Sequence, residues 1–417
     1  MNLLIKNVLL HDSIQDIFIQ KGLIDFIGQN LNCEAENVLD GTDKVAIPSF
    51  VNAHTHCAMT LMRSYADDME LHDWLENKIW PFEKNISEQD VYWATRLAII
   101  EMIKSGTTYF NDMYWHYPGT AQAVIDSGIH AHLSSAFIDL GDEETSKKQI
   151  EEQVKLFENR DQFSPNVTFS LGAHSLYTVL ESGLFWLRDF ANEHTLNIHM
   201  HLSETKKEVD EWVQQTGKRP VEYLESIGFL GSHIIAAHVN WVTDDEIKLL
   251  ADYNVGVAHC PTSNMKLASG VFPYQRIRDA GIRIGLATDG VASNNNVDML
   301  DEVKVAALLQ KSFNQDPTVM PADEAFYLAT EGSASLFGLN MGKIEVGKSA
   351  DLLLIDLNNI QLIPNHHLIS NLVYSAHSGC INTTIAKGEI LMENGCVKDE
   401  KNVIDHFQKV IRKRVNE

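Results

Sequence analysis

Residues 47–56 read IPSFVNAHTH, an apolar run that ends in two histidines one residue apart. In an extended strand successive side chains alternate between faces, so His54 and His56 point the same way and can share one metal. Seven further apolar runs with polar ends follow: TTYFNDMY (107–114), IHAHLSSAF (129–137), NVTFSLGAHS (166–175), LNIHMHLSE (196–204), IIAAHVN (234–240), VGVAHCPTSN (255–264) and IRIGLATDG (282–290). Stretches of helical periodicity separate them. The clearest is SEQDVYWATRLAIIEMIKSG (87–106), where Ser87 suits the N-cap, Asp90 stands three residues on, and Gly106 suits the position just past the end. Eight strand-then-helix units predict an α/β fold, a (β/α)8 TIM barrel over residues 49–341 with its active site at the C-terminal strand ends. An open doubly wound sheet fits less well, because the chain has no Gly-x-Gly-x-x-Gly phosphate loop.

The two ends of the chain have a different texture. LLIKNVLL, DIFIQKGLIDFIG and NVLDGTDKVAIP near the start, and GKIEVGKSADLLLID, NLVYSA and TTIAKGEILMENG near the end, are short β-type runs broken by Gly and Asp. They predict one small β-sandwich domain built from residues 1–48 plus 342–417. Residues 402–417 read as a closing helix with its cations toward the C-terminal end, which suits the helix dipole.

Composition narrows the function. The 417 residues carry 33 Lys and Arg against 57 Asp and Glu, a formal charge of −24, which argues against nucleic acid or anionic lipid as the main partner. At 44% apolar the chain can bury a core, yet it has no run of about 18 apolar residues to span a membrane. Polar residues break MNLLIKNVLLHDSIQDIFI every few positions, unlike a signal peptide. The five cysteines (Cys33, Cys57, Cys260, Cys380, Cys396) are scattered without Cys-x-x-Cys spacing, so neither a disulfide framework nor a thiolate zinc site is expected. Cys57 and Cys260 adjoin histidines, but neighbours along a strand face opposite ways, and both read as packing residues. A cytoplasmic protein is the expectation.

Among the 18 histidines, His201 ends the fifth run and His238 the sixth, while Asp289 ends the eighth. A barrel would deliver all of these, with His54 and His56, to one mouth. Taken singly, each histidine reads as a hydrogen-bonded strand-end residue. As a set, four imidazoles and a carboxylate read as a metal centre, and both zinc and iron accept such ligands. His199 and His259 are not assigned to the site, nor are His116, His130, His132, His366 and His367.

The HTH, HLSE and TDG motifs at these strand ends resemble the amidohydrolase superfamily. PSFVNAHTHCAMTLMRSYADDMELHDWLENKIWPFE (48–83), SGTTYFNDMY (105–114), HCPTSNMKLASG (259–270), ATDGVASNNNVDMLDE (287–302) and GKIEVGKSADLLLID (342–356) are similar to signatures of its adenosine-type branch, the 5′-methylthioadenosine/S-adenosylhomocysteine deaminases and their chlorohydrolase relatives. The resemblance implies hydrolytic deamination of an adenine nucleoside to the inosine analogue and ammonia. It implies that His54, His56, His201 and Asp289 hold one divalent metal, Zn2+ expected and Fe2+ the alternative, with His238 beside the attacking water. Binuclear relatives carry a lysine or glutamate at the end of the fourth strand; Gly172-Ala173-His174-Ser175 stands there, so one metal is expected. Glu204 would protonate a ring nitrogen while Asp289 and His238 manage the water's proton. His174 would contact base and sugar, and Glu83 the ribose hydroxyls. Trp74, Trp80, Phe82 and Trp115 lie in the loops after the first two strands, where aromatic rings can cover a base.

One departure bears on the substrate. Relatives that act well on S-adenosylhomocysteine carry arginines after the third strand, whereas HAHLSSAFIDLGDEETSKKQ (130–149) has none. A neutral nucleoside, 5′-methylthioadenosine or adenosine, suits this acidic mouth better. The alternatives are another aminated heterocycle (guanine, cytosine or a triazine) and a metal-free barrel acting as a scaffold. Members of the family often assemble into homo-oligomers.

Overall fold

The structure, a computed structural model, describes residues 2–415. The chain opens with β1 (Asn2–Leu10), β2 (Ser13–Gln20), β3 (Leu23–Gly28), β4 (Asn37–Asp40) and β5 (Lys44–Pro48). It then enters a second sheet through β6 (Phe50–His56), β7 (Thr107–Tyr114), β8 (His130–Phe137), β9 (Val167–Ala173), β10 (Ile198–Leu202), β11 (Ile234–His238), β12 (Gly256–His259), β13 (Arg283–Leu286) and β14 (Asp289–Gly290). Their spatial order is their chain order, and every pairing is parallel. After β13 only Ala287 and Thr288 intervene before β14, which pairs back onto β6 with Asp289 opposite Thr55 and Gly290 opposite His56. The sheet is therefore strongly curled. Helices cover its outside, and the residues of β6, β7, β8, β10, β11 and β12 are all buried, as expected of parallel strands packed on both faces.

All eight runs form strands of this sheet, but the first is divided. Ile47 and Pro48 finish β5, and the chain changes sheets at Ser49, whose hydroxyl lies 2.7 Å from that of Thr108. The helix expected after β6 spans Glu88–Lys104, with Ser87 and Asp90 exchanging the reciprocal bonds of a capping box. Gly106 follows with φ +87°, and a Cβ there would stand 2.5 Å from Leu353 Cδ1 of the other sheet, so both conformation and space demand glycine.

The C-terminal strands β15 (Leu352–Asp356), β16 (Ile381–Ala386), β17 (Glu389–Glu393) and β18 (Cys396–Val397) join the first five in one sheet of order β18-β17-β16-β15-β5-β1-β2-β3, with β4 also paired to β1. Its own core includes Leu3, Ile5, Ile17, Ile19, Leu352 and Leu354. Two expected strands are not strands. NLVYSA (371–376) falls largely in the helix Leu368–Tyr374, where the His367 ring accepts from Ser370 N at 3.2 Å and Leu372 and Val373 turn inward. GKIEV (342–346) is irregular, and sheet pairing begins in earnest only at Leu352. The closing helix spans Glu400–Val415, and positions 416 and 417 of the expected helix lie outside the described residues. Among the described residues no helix is long and apolar enough to cross a membrane.

Behind β14, Glu302 is buried with Asn294 Nδ2 donating to it at 2.5 Å and Thr262 N at 3.3 Å. Burial pushes its carboxyl from 4.5 up to about 8. A group that binds its proton more tightly in the fold stabilises fully below the unfolded value and loses that contribution as pH rises through the folded one. Thermal stability is therefore expected to fall between about pH 4.5 and 8, and E302Q should flatten that slope in melts across this range.

Candidate metal centre and active site

Strand ends bring the donors together. His54 and His56 leave β6 on one face; His201 comes from β10 and Asp289 from β14. His54 Nε2 lies 3.2 Å and His56 Nε2 3.4 Å from the same carboxylate oxygen, Asp289 Oδ1. His56 Nε2 and His201 Nε2 are 3.2 Å apart, and ligand nitrogens of His54, His56 and His201 all fall within 4.8 Å of one another. Their other nitrogens are occupied. His56 Nδ1 donates to Met113 O and His201 Nδ1 to His174 O, each at 2.6 Å, which turns both Nε2 lone pairs inward.

These residues fit a divalent metal on their own chemistry. His54 Nε2 is buried and faces the Asp289 carboxylate, 3.2 Å away. Burial drives the His54 imidazole down to about 4, and burial with neighbouring imidazoles drives His201 well below its usual value, so both stay neutral as ligands must. Burial alone would raise Asp289, but the hydrogen bond and charge of His54 outweigh it and hold the carboxyl well below the carboxylate range. Neutral imidazoles with a carboxylate are a zinc donor set.

His238 and Glu204, expected to move protons, stand beside this cluster. His238 Nδ1 donates to Asn264 Oδ1 at 2.8 Å, which aims Nε2 at Glu204 Oε2 (3.8 Å) and Asp289 Oδ2 (3.9 Å). Such spacings suit a shared water better than direct bonds. Burial opposes the charged form of His238, yet Glu204 and Asp289 raise its pKa. Burial also raises the Glu204 carboxyl, the direction a general acid needs. Ser269 Oγ donates to Glu204 Oε1 at 3.0 Å, and Ser263 Oγ to Asp289 Oδ2 at 2.6 Å. His238 and Asp289 have φ of 72° and 65°, the strained left-handed region that non-glycine residues rarely occupy outside special sites.

A cavity opens over the cluster. His56, His174, His201, Glu204, His238 and Asp289 form its floor, and Trp74, Trp80, Glu83 and Trp115 line it with Leu71, Leu75, Ile79 and Ile138. Glu83 is half-buried rather than a surface acid: Tyr114 Oη donates to one oxygen at 2.7 Å and Trp115 Nε1 to the other at 3.2 Å. Burial raises its pKa against those bonds. His174 Nδ1 is engaged with Thr178 Oγ1 at 3.0 Å. Phe82 does not line the cavity; its ring packs 5.2 Å from that of Tyr65.

The amidohydrolase family model matches residues 45–391. The chain belongs to the amidohydrolase family. A 5-methylthioadenosine/S-adenosylhomocysteine deaminase of Archaeoglobus fulgidus is 46% identical over 377 residues, 90% of this chain and 89% of that protein. A 5′-deoxyadenosine deaminase of Methanospirillum hungatei is 42% identical over 380 residues, 91% and 85% of the two chains. Among solved structures, an adenosine deaminase from Xanthomonas campestris with bound zinc superposes with a TM-score of 0.92 at 31% identity, covering 99% of this chain and 98% of that one.

Several residues of this amidohydrolase escaped the sequence reading. Ser263, Asn264 and Ser269 support Asp289, His238 and Glu204, and the polar cluster after the seventh strand, PTSNMKLAS, was the available signal. Tyr114 and Tyr177 line the cavity with nothing local to mark them. His199, left unassigned, sits behind the centre, its Nε2 2.7 Å from His54 Nδ1 and its Nδ1 2.9 Å from Asn111 Nδ2. His259 is buried and stacks on Phe272, ring centroids 4.4 Å apart. Cys57 and Cys260 are buried in apolar clusters as expected, but Cys260 follows the end of β12, where alternation no longer applies. Its Sγ comes within 4.8 Å of His54 and His238 nitrogens. Burial holds that thiol well above its usual pKa, which disfavours the thiolate a metal needs.

Proposed function

We propose that this amidohydrolase binds one divalent metal, zinc before iron, through His54, His56, His201 and Asp289, and deaminates an adenine nucleoside with a small neutral 5′ group, 5′-methylthioadenosine or adenosine before S-adenosylhomocysteine. The observation that carries the reading is the gathering of three imidazole nitrogens, two of them within 3.4 Å of Asp289 Oδ1 and the third, of His201, 3.2 Å from that of His56, with Glu204 and His238 alongside. When bound, the metal supplies a Lewis acid that makes a water nucleophilic near neutral pH. Glu204, whose burial favours the protonated carboxyl, gives a proton to the ring nitrogen as the water oxygen adds to the adjacent amine-bearing carbon. Asp289 and His238 take one of the water's protons and pass it to the amine; as the C–N bond breaks and ammonia leaves, the new hydroxyl becomes the carbonyl and its proton returns to Glu204. Glu83 retains lone pairs for the ribose hydroxyls beyond those used by Tyr114 and Trp115, and His174, with Nδ1 engaged, offers Nε2 to base or sugar. Trp74 and Trp115 cover the base. Among the described residues no Lys or Arg lines the cavity, so a carboxylate tail would be desolvated without a partner.

We read the curled sheet as a closed (β/α)8 barrel, residues 49–341, and the terminal sheet as a small sandwich of residues 1–48 with 342–417. The return of β14 onto β6 and the separate apolar core of the terminal strands support this division. The five free cysteines accord with a cytoplasmic enzyme.

Purified enzyme with 5′-methylthioadenosine should shift the adenine absorbance band to that of the inosine analogue. No change across adenosine, 5′-methylthioadenosine, S-adenosylhomocysteine and guanine would remove the assignment. E83A should raise KM for the nucleoside by about 10- to 100-fold, the worth of a charge-assisted hydrogen bond, and leave any guanine turnover unchanged.

A further inference from the structure

One side chain makes a polar tie between the cavity's outer wall and the C-terminal helix. Helix Glu400–Val415 runs antiparallel along helix Glu88–Lys104. Lys104 Nζ donates to Glu400 at 2.8 Å at one end, and His406 stacks on Trp93 with ring centroids 4.3 Å apart and planes at 9°. At the other end Arg414 pairs with Asp90, donates to Asn85 O at 2.9 Å, and places its Cζ 5.5 Å from the centre of the Phe82 ring. These three partners bracket Glu83. Asp90 is also the acid of the capping box, so the guanidinium holds the turn by which the wall joins the helix.

The wall is held from the inside by apolar packing, Leu71, Trp74, Leu75 and Ile79 being buried with Met59, Met62 and Tyr114, and its polar ties at the C-terminal end are few. Residues Leu71–Trp74, Leu75–Ile79 and Trp80–Glu83 form three short helical pieces, the middle one a π turn of the kind that recurs at functional sites. Apart from bonds inside those pieces, the backbone hydrogen bonds that Trp74, Lys84, Asn85 and Ile86 donate run only to partners three or four residues back. Its apolar side packs on Phe407, Val410 and Ile411 of the terminal helix. Arg414 is only 14% exposed, unlike the solvated surface cations whose ion pairs contribute little.

We propose that Arg414 is a positioning residue for substrate: it locks the Leu71–Glu83 wall over the cavity and so sets how tightly the nucleoside is held, leaving the chemistry of Glu204, His238 and Asp289 untouched. The proposal rests on the reading of Glu83 as a substrate contact. One nitrogen, Nη2, serves both Asp90 and Asn85 O while the guanidinium lies beside the Phe82 ring, a planar contact that lysine does not reproduce.

The test compares R414A, R414K, E83A and the R414A/E83A double variant in the metal-loaded full chain, with KM and kcat for 5′-methylthioadenosine, metal content and thermal transition. R414A should raise KM roughly tenfold, keep kcat within about twofold and retain its metal, with R414K in between. In the E83A background R414A should add little further, because both act through one wall. An unchanged KM in R414A, a fall in kcat as large as the rise in KM, or fully additive effects would overturn the proposal. If R414A melts below the assay temperature, R414K carries the same comparison, and an unchanged KM there overturns it equally. If E83A alone keeps its KM, the substrate role of Glu83 falls; a raised KM in R414A would then still support the wall, and an unchanged one would overturn both.

Discussion

Glu204→Gln is expected to keep its metal and its fold while losing about 100-fold or more in turnover. Glutamine has the same shape and can still accept from Ser269 Oγ, which stands 3.0 Å from the present carboxylate. It cannot give up the proton that a ring nitrogen must receive. Glu204 Oε2 stands beside His238 Nε2 at 3.8 Å and Oε1 accepts from Ser269, apart from the three gathered imidazoles, so the metal should remain. Steady-state rates beside elemental analysis of the same samples check this. Loss of metal in E204Q, or a turnover within about threefold of the parent, would show that Glu204 acts otherwise.

His201→Ala should remove metal and activity together. His201 supplies one of three inward nitrogens, and Met200 and Leu202 on either side are buried packing residues with no second donor to offer. A ligand that binds only the folded chain stabilises it by about 4 kcal/mol at a thousandfold excess over its Kd. A chelator should therefore lower the parent's thermal transition and leave that of H201A unmoved. A transition in H201A that still falls on chelation would place the metal elsewhere.

The site was more legible than its scaffolding, for a physical reason. His54 and His56 announce themselves because strand alternation puts both on one face, and His201, His238 and Asp289 each end an apolar run, where a curled parallel sheet must deliver them. Period and position carry that information locally. What the sequence did not carry was partnership across the sheet: Asn264 beneath His238 and His199 behind His54 join positions 26 and 145 residues apart, and neither has a local signature. Glu83 lay between a surface acid and a site residue until Tyr114 and Trp115, from β7 and just beyond it, closed on its two oxygens. The terminal sheet was legible as texture only. NLVYSA has the apolar content of a strand, yet the His367 cap and the inward turn of Leu372 and Val373 make it a helix. Cys260 shows the limit of alternation, which ends with the strand.

Anomalous diffraction at the zinc edge, from crystals of the metal-loaded chain, tests the central claim most directly. The account predicts one strong peak per chain within about 2.0–2.2 Å of His54 Nε2, His56 Nε2, His201 Nε2 and an Asp289 oxygen. A peak bound instead by Cys260, two peaks sharing the site, or none after zinc loading would contradict it.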